Sequence, residues 1–491
     1  MEEIIKMPLK GGKVARPLSL LSDDQLCDIY LASVEVLERV GLEAGEERAL
    51  EVLEEAGADV ERRSGLVRIP EHLVREAVKS APSRVTLCGR TADRDVKVEG
   101  KRVFFGAGAN ALYVLDPSTG RVREATTQDC VNAAILADAL ENIHCYLSLV
   151  SPQDVPPEGV DRVKCAIALK NTTKHFFHDA QGREGAEDQI RMAAAVVGGI
   201  EELRRRPLLS LAPCVTSPLR WGKDALEVLI AMAEHGLPQI ISSEPMSGAT
   251  SPASLAGSLV QQCAEVIGGL VIAQLVSRGT PVLVCTLPTI MDMRTGNIAM
   301  GSVEMGLMCA AMAQIMRRHG IPYVGSGGMA DSKVMDEQAA YEKAMTCLLA
   351  ALAGTNLIHL SAGMLEAILT FGYEQLVIDD EIIGMVMRAM QGIQVDDVLL
   401  AVDVIERVGP GGHFLAQDHT RRLFRREHFI PSLTDRRTRK DWERSGSLDI
   451  VARARGRVDE ILRSHRPEPL ERSVREEIDR IAKEAQRRLS R

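Results

Sequence analysis

Four short stretches of this sequence end an apolar run in residues that can hold charge or bare backbone. They are Phe176-Phe177-His178-Asp179, Ser242-Ser243-Glu244-Pro245-Met246, Met291-Asp292-Met293-Arg294-Thr295-Gly296 and Gly325-Ser326-Gly327-Gly328-Met329. Glu244 can attract a small cation or fix a polar layer behind one, though an acid beside proline at a strand end is equally often the partner of a helix N-terminus. The planar fork of Arg294 suits a substrate carboxylate, while Asp292, two residues away, offers it a structural pairing instead. Gly325, Ser326, Gly327 and Gly328 can leave room for a ligand and aim N–H groups at it, or can simply make a tight turn. His178 can line a pocket or serve as a hydrogen-bonded core histidine. Asn110 and Tyr113 stand in and just after a Gly-rich stretch and can cover a pocket; His413 stands in a second one, Val408-Gly409-Pro410-Gly411-Gly412-His413-Phe414. The chemistry open to such a set is the binding and positioning of a small charged molecule.

The missing patterns narrow this further. There is no H-E-x-x-H, no G-x-x-x-x-G-K and no G-x-S-x-G, so zinc-protease, P-loop and nucleophile-elbow chemistry are not signalled. Gly106-Ala107-Gly108-Ala109-Asn110-Ala111 starts like a dinucleotide loop but lacks the third glycine and a following helix. The ten cysteines stand singly, without C-x-x-C, as reduced core residues of a cytoplasmic protein do, and no bound metal is expected. A net charge of -9 argues against nucleic acid as a partner. Met1 to Lys13 is charged and lacks the apolar run of a signal peptide, and no apolar stretch reaches about 18 residues unbroken, so no membrane span is expected.

The elements that must position these residues follow from hydrophobic period. Ser22-Asp23-Asp24-Gln25 has the form of a capping box, and Leu26, Ile29, Tyr30, Val34 and Leu37 recur behind it at helical spacing. Apolar runs between residues 96 and 115, broken by glycines and the turn cluster Asp116-Pro117-Ser118-Thr119-Gly120, read as a small sheet or hairpin. Eight candidate strands then alternate with helical segments: Ile143 to Val150, His175 to Asp179, Leu208 to Pro213, Gln239 to Ser243, Val282 to Leu287, Pro322 to Gly325, Leu357 to Leu360 and Gln375 to Ile378. His235-Gly236-Leu237-Pro238, Arg278-Gly279-Thr280-Pro281 and His319-Gly320-Ile321-Pro322 each give a helix stop, a tight turn and a strand start. Eight such units in about 250 residues point to an α/β fold, a closed (β/α)8 TIM barrel, with an open doubly wound sheet as the alternative. The chain then divides into a helical lead-in with a small β insert (1–141), the barrel (142–398) and a helical extension (399–491). In a barrel the four stretches all fall at the carboxyl ends of strands, where barrel enzymes hold their reacting groups.

Three groups of residues carry a resemblance to a known family. They are Ile321-Pro322-Tyr323-Val324-Gly325-Ser326-Gly327-Gly328-Met329-Ala330-Asp331-Ser332; Met291 to Gly296 with Gly301-Ser302-Val303-Glu304; and Gly411-Gly412-His413-Phe414-Leu415 with His419-Thr420. From about Leu18 to Asp449 the chain resembles the trimethylamine methyltransferase family. The resemblance implies a barrel enzyme that demethylates a small amine and passes the methyl to Co(I) of a cognate corrinoid protein. No D-x-H-x-x-G occurs, so that corrinoid would be supplied by the partner. The trimethylamine-specific members carry pyrrolysine, whereas this chain has only standard residues around Gly325 to Gly328. Family members without pyrrolysine whose substrate is known act on quaternary amines such as glycine betaine. On this reading Glu244, Asp292, Arg294, Gly325 to Gly328, His178 and Tyr113 face substrate, Asn110 and His413 face the corrinoid, and the protein forms a homo-oligomer. Two other functions stay open: a barrel that binds a corrinoid protein or an amine without catalysis, and one that uses methyl-tetrahydrofolate.

Overall fold

Residues 13–14, 18–108 and 110–489 are described by the computed structural model. The stretch read for a signal peptide lies outside them apart from Lys13, as does Ala109 of the Gly-rich run.

Eight short runs, mostly apolar, become eight parallel strands: β1 (Arg102–Ala107), β2 (Cys145–Tyr146), β3 (His175–His178), β4 (Leu209–Leu211), β5 (Gln239–Ser243), β6 (Val282–Thr286), β7 (Tyr323–Ser326) and β8 (Leu357–His359). Each pairs with the next, and β8 returns to β1 with Leu357 opposite Phe104 and Ile358 opposite Phe105, so the sheet closes on itself. The fold is the expected (β/α)8 barrel. Because side chains alternate along a strand, Phe104, Cys145, Phe177, Ile240, Leu283, Val324 and Leu357 share one cluster inside the cylinder. Their neighbours Phe105, Tyr146 and Phe176 pack on one part of the helical layer, and Ile241, Val284 and Tyr323 on another. A hairpin of Arg84–Leu87 and Val96–Glu99 adds Val85, Leu87, Val96 and Val98 to the interior cluster and plugs the end where the strands begin.

Two strand expectations are corrected. Gln375 to Ile378 lies inside a helix, Tyr373–Met390. That helix is buried on several faces, so its side chains read as a continuous apolar run, which periodicity cannot tell from a strand. The strand it was meant to be is β1, ahead of residue 142, which had been read as part of a small sheet. Gly106 and the adjoining hairpin blur its pattern.

Helix α1 (Asp23–Arg39) starts at the expected capping box, with Gln25 N–H donating to Ser22 and the Gln25 side chain accepting from Ser22 N–H. Helix α2 (Val160–Asn171) lies between β2 and β3. Helix α3 (Leu255–Val276) is long and apolar enough to cross a membrane by length and composition, but most of it is buried in this fold. Glycine lets it sit close: a Cβ on Gly269 would lie 2.5 Å from the Trp221 ring. Its one acid, Glu265, accepts from Ser217 and Ser243 hydroxyls and from Leu219 N–H, bracing the ends of β4 and β5. Helices α4 (Glu337–Ala353) and α5 (Tyr373–Met390) follow β7 and β8. Three more, α6 (Asp418–Glu427), α7 (Ile450–Ser464) and α8 (Arg472–Leu489), belong to the extension. Of these, α7 packs on α5 and α8 on the Gly182–Val197 helix.

Asp138 fastens the extension to the barrel. It accepts from Thr172 Oγ1 at 3.0 Å, Thr173 N–H at 2.6 Å and Thr173 Oγ1 at 2.8 Å, and it lies 2.8 Å from His465 Nε2 just past α7. Burial pushes its carboxyl up, but these donors outweigh burial and hold it below its ordinary value. A carboxyl depressed in the folded state stabilises above its unfolded value and loses that contribution as the pH falls. Asp138→Asn is therefore expected to lower the unfolding free energy at neutral pH by about 2 kcal/mol. Urea titrations should show that gap closing as the pH drops below about 4, the unfolded aspartate value.

Candidate active site

The strand C-termini open into a mouth rimmed by two small sheets. One joins Tyr113–Leu115, Val122–Glu124, Met364–Leu365 and Thr370–Gly372 from the segments after β1 and β8; the other joins Met246–Ser247, Thr289–Asp292 and Asn297–Ala299 from the segments after β5 and β6.

Two carboxylates stand one residue beyond their strands, Asp179 after β3 and Glu244 after β5. Both share the register of inward residues, Phe177 and Ile240. Asp179 is 52% exposed, and Glu244 is exposed as well. Solvent reaches both, yet enough protein surrounds them that desolvation is the largest influence on each. For Glu244, burial and then the charge of Asp179 push the carboxyl up; it makes no hydrogen bond among the described residues. For Asp179, burial is overridden by His178 and Lys164, and the carboxyl is held far below its ordinary range. His178 Nδ1 lies 2.7 Å away and Lys164 Nζ, from α2, 3.6 Å away. The His178 ring is fully buried, and desolvation pushes its pKa down. Near neutral pH it is uncharged, so Lys164, 2% exposed, is the lasting positive partner.

Asn110 bridges this pair, donating from Nδ2 to Asp179 at 3.3 Å and accepting from Lys164 at 3.0 Å. Its backbone is in the left-handed region that asparagine tolerates (φ 58), and its N–H donates to Ser148 O. Behind it, buried Asp161 accepts from Gln181 N–H and pairs with Arg162, fixing the turn after β3.

Below the carboxylates the floor is uncharged. His359 Nε2 lies 2.7 Å from Ser326 Oγ and 3.4 Å from Cys285 Sγ. Burial pushes the His359 imidazole down to about 3 and the Cys285 thiol well up, so both are neutral. The Phe177 ring packs 5.8 Å from His359. The polar groups are layered along the barrel: exposed carboxylates at the strand ends, balanced by one buried lysine, and buried neutral groups beneath them.

The residues expected from sequence fall into different places. Glu244 is at the lip and Asn110 is joined to Asp179 there. His178 lies on the Phe176 side of β3, its ring 5.1 Å from that ring, and touches the lip only through Asp179. Ser326 is in the floor. Gly325 backs onto Thr355 and Tyr323, and Gly327 onto Thr346 and Cys347 of α4, so a side chain at either would strike the helical layer. Gly328 has φ +87, and a Cβ there would lie 2.5 Å from Ser361 O. These glycines bring the loop after β7 against its neighbours. Asp292 and Arg294 pair with each other at a hairpin tip, at 2.7 and 3.0 Å, with Arg294 88% exposed. Tyr113 lies in the rim sheet. His413 is exposed in the extension and makes no hydrogen bond among the described residues. Sequence reasoning missed Asp179, Lys164, His359 and Cys285 as a group. For Asp179 the signal was available: if only one of Phe176 and Phe177 faces inward, Asp179 shares the side of Phe177.

A closed parallel barrel with its ionisable groups at the strand C-termini has the architecture of a barrel enzyme. The sequence pattern of trimethylamine methyltransferase (MTTB) matches residues 8–488. The chain belongs to that family and is a methyltransferase. It is 39% identical to trimethylamine methyltransferase MttB of Desulfitobacterium hafniense strain DSM 10664 over 469 residues, 96% of this chain and 94% of that one. It is 38% identical to glycine betaine methyltransferase of D. hafniense strain Y51, over 94% of this chain and 96% of that one. Among solved structures, the monomethylamine methyltransferase of Methanosarcina barkeri aligns with a TM-score of 0.49 at 13% identity, covering 92% of this chain and 96% of that one.

The loops after β7 and β8 are tied by a fully buried ion pair. Lys343 of α4 donates to Gly328 O at 2.7 Å and to Asp379 of α5 at 3.0 Å, and Asp379 accepts from Gly363 N–H at 2.7 Å. Removing one partner strands the other charge. Lys343→Met is expected to cost about 3–5 kcal/mol in chemical denaturation, whereas Arg294→Met at the exposed tip should change stability by less than about 0.5 kcal/mol.

Proposed function

We propose that the chain demethylates a small quaternary amine of the betaine type and delivers the methyl to Co(I) of a corrinoid held by a separate protein. The supporting observation is the lip of Asp179 and Glu244, with the nearby ammonium of Lys164 already committed to Asp179. Such a lip attracts a cation rather than an anion. The strength of that attraction is limited. The substrate loses its positive charge as the methyl departs, so a strongly anionic pocket would stabilise the starting cation more than the transition state. Lys164 offsets much of the Asp179 charge, and burial holds Glu244 towards its protonated form. The methylated nitrogen is thus drawn in without being trapped.

A quaternary nitrogen keeps the C–N electron pair and leaves as a neutral tertiary amine, so no proton donor is required. The neutral floor of His359, Ser326 and Cys285 fits that economy. The corrinoid, when presented at the mouth, supplies the nucleophile that takes the methyl. The exposed carboxylates and open rim fit a donor that must be reached from outside, and no side chain of this chain is needed as a cobalt ligand. The work of the protein is then positioning and exclusion of water. All ten cysteines are free thiols, which supports a reducing compartment, the cytoplasm.

Purified chain, a reduced corrinoid protein and a panel of betaines should give methyl transfer visible as a change in corrinoid absorption. A complete absence of transfer across quaternary and tertiary amines would sink the reading. Asp179→Asn and Glu244→Gln are each expected to weaken betaine binding by about tenfold, roughly 1.4 kcal/mol, by calorimetry. Because the Glu244 carboxyl is pushed up, it ionises late; affinity should rise with pH as it does so, and Glu244→Gln should flatten that rise.

A further inference from the structure

The chain leaves the body after α5 and returns to almost the same point. Arg388 of α5 donates to Gly392 O at 3.0 Å where the segment departs and to Glu427 O at 2.8 and 2.6 Å where it comes back. Beyond the return, Phe429 lies against Gly384, and Ser432 and Thr434 bond to Glu381. Between these pins run two short helices, Asp397–Leu400 and Val402–Val408, then α6. Only Ala401 and Val404 of the stretch belong to the buried apolar set, and α6 buries nothing. Its apolar side chains point to solvent instead: Ile393 is 82% and Leu415 86% exposed, and Val395, Val398, Val402 and Ile405 are each more than half exposed. So dense a run of bare aliphatic residues marks a surface that another molecule covers.

Its place in the fold limits what that molecule is. Helix α5 begins beside the rim strand Thr370–Gly372 and runs down past Asn142, which bonds to Asp380 and leads into the start of β2. The arm therefore springs from the plugged end of the barrel, away from the mouth where a methyl acceptor must arrive. An acceptor protein must also let go after each turnover, and short-lived complexes use smaller, more polar interfaces, whereas permanent homomeric ones resemble a core cut in two. Charge agrees. Helix α6 holds four Arg against one Asp and one Glu in a chain whose net charge is -9, so the surface it would meet is acidic. Arg422 and Arg425 in α6 have no carboxylate partner among the described residues, and Arg425 rests on Phe424.

We propose that segment 392–426 is an arm that embraces a second copy of this chain, its aliphatic face buried against that copy and α6 set on its acidic surface. The test is sedimentation velocity with light scattering on the full chain at micromolar concentration. The native chain should sediment as an oligomer. The double variant Ile393→Asp, Leu415→Asp alters only exposed side chains and should fall to the mass of one chain while keeping the far-ultraviolet circular dichroism of the native fold. Arg422→Glu with Arg425→Glu should weaken assembly by at least tenfold at low salt and by less at high salt. A native chain that is monomeric, or a double variant that stays assembled, overturns the proposal. So does a variant that remains oligomeric but no longer accepts the corrinoid protein, which would assign the arm to that partner. None of these outcomes depends on which amine is the substrate.

Discussion

Everything in this structure depends on the pairing of β8 with β1. Without Leu357 opposite Phe104 the eight strands would be an open sheet with two exposed edges and no inside. With it, alternate residues of every strand face a common axis, and the cylinder has one plugged end and one open end. The residues at and just beyond the end of each strand then share the open end although they stand far apart in sequence, as Asn110, Asp179, Glu244 and Ser326 do.

Closure also sets the electrostatics. A carboxylate at the lip is accessible to water, but the surrounding wall of backbone and side chains removes much of its solvation. Two such groups would repel each other and drift towards protonation, as Glu244 does. One buried ammonium breaks the symmetry. Lys164 sits behind Asp179, is steadied by Asn110, and leaves the two acids in unlike states: Asp179 ionised, Glu244 shifted up. Neither state follows from residue type; both follow from which neighbour is charged and how much water is excluded.

That distinction explains what the sequence could and could not tell. Seven of the eight strands were legible as short apolar runs between helical segments, and Gly-x-Pro turns mark the start of three of them. The exchange of β1 for a piece of α5 has a physical cause: a helix buried on several faces has no polar stripe, and β1 directly follows the hairpin strand Val96–Glu99, so its apolar run reads as part of the same small sheet. Glu244 was legible because it stands at the end of an unambiguous strand. Lys164 was not, because its helix carries no mark that one lysine points back through the wall. The glycines after β7 drew attention as open space; in the fold they serve close contact with α4 and with Ser361. Arg294, conspicuous beside Asp292, turned to that neighbour.

The two ends of the barrel face opposite demands. Under the proposed function, an open end that exchanges a small cation and a carrier must stay wet, charged and uncommitted, because an apolar rim would hold whatever first covered it. Asp179 and Glu244, both exposed, meet that demand. The plugged end has no such traffic. There the chain can leave aliphatic residues such as Ile393 and Val398 bare, provided something permanent covers them. Were the arm rooted at the mouth, its apolar face would compete with substrate entry for the same surface. Rooting it on the last turn of α5, at the opposite end of that helix from the rim strand Thr370–Gly372, keeps the two apart.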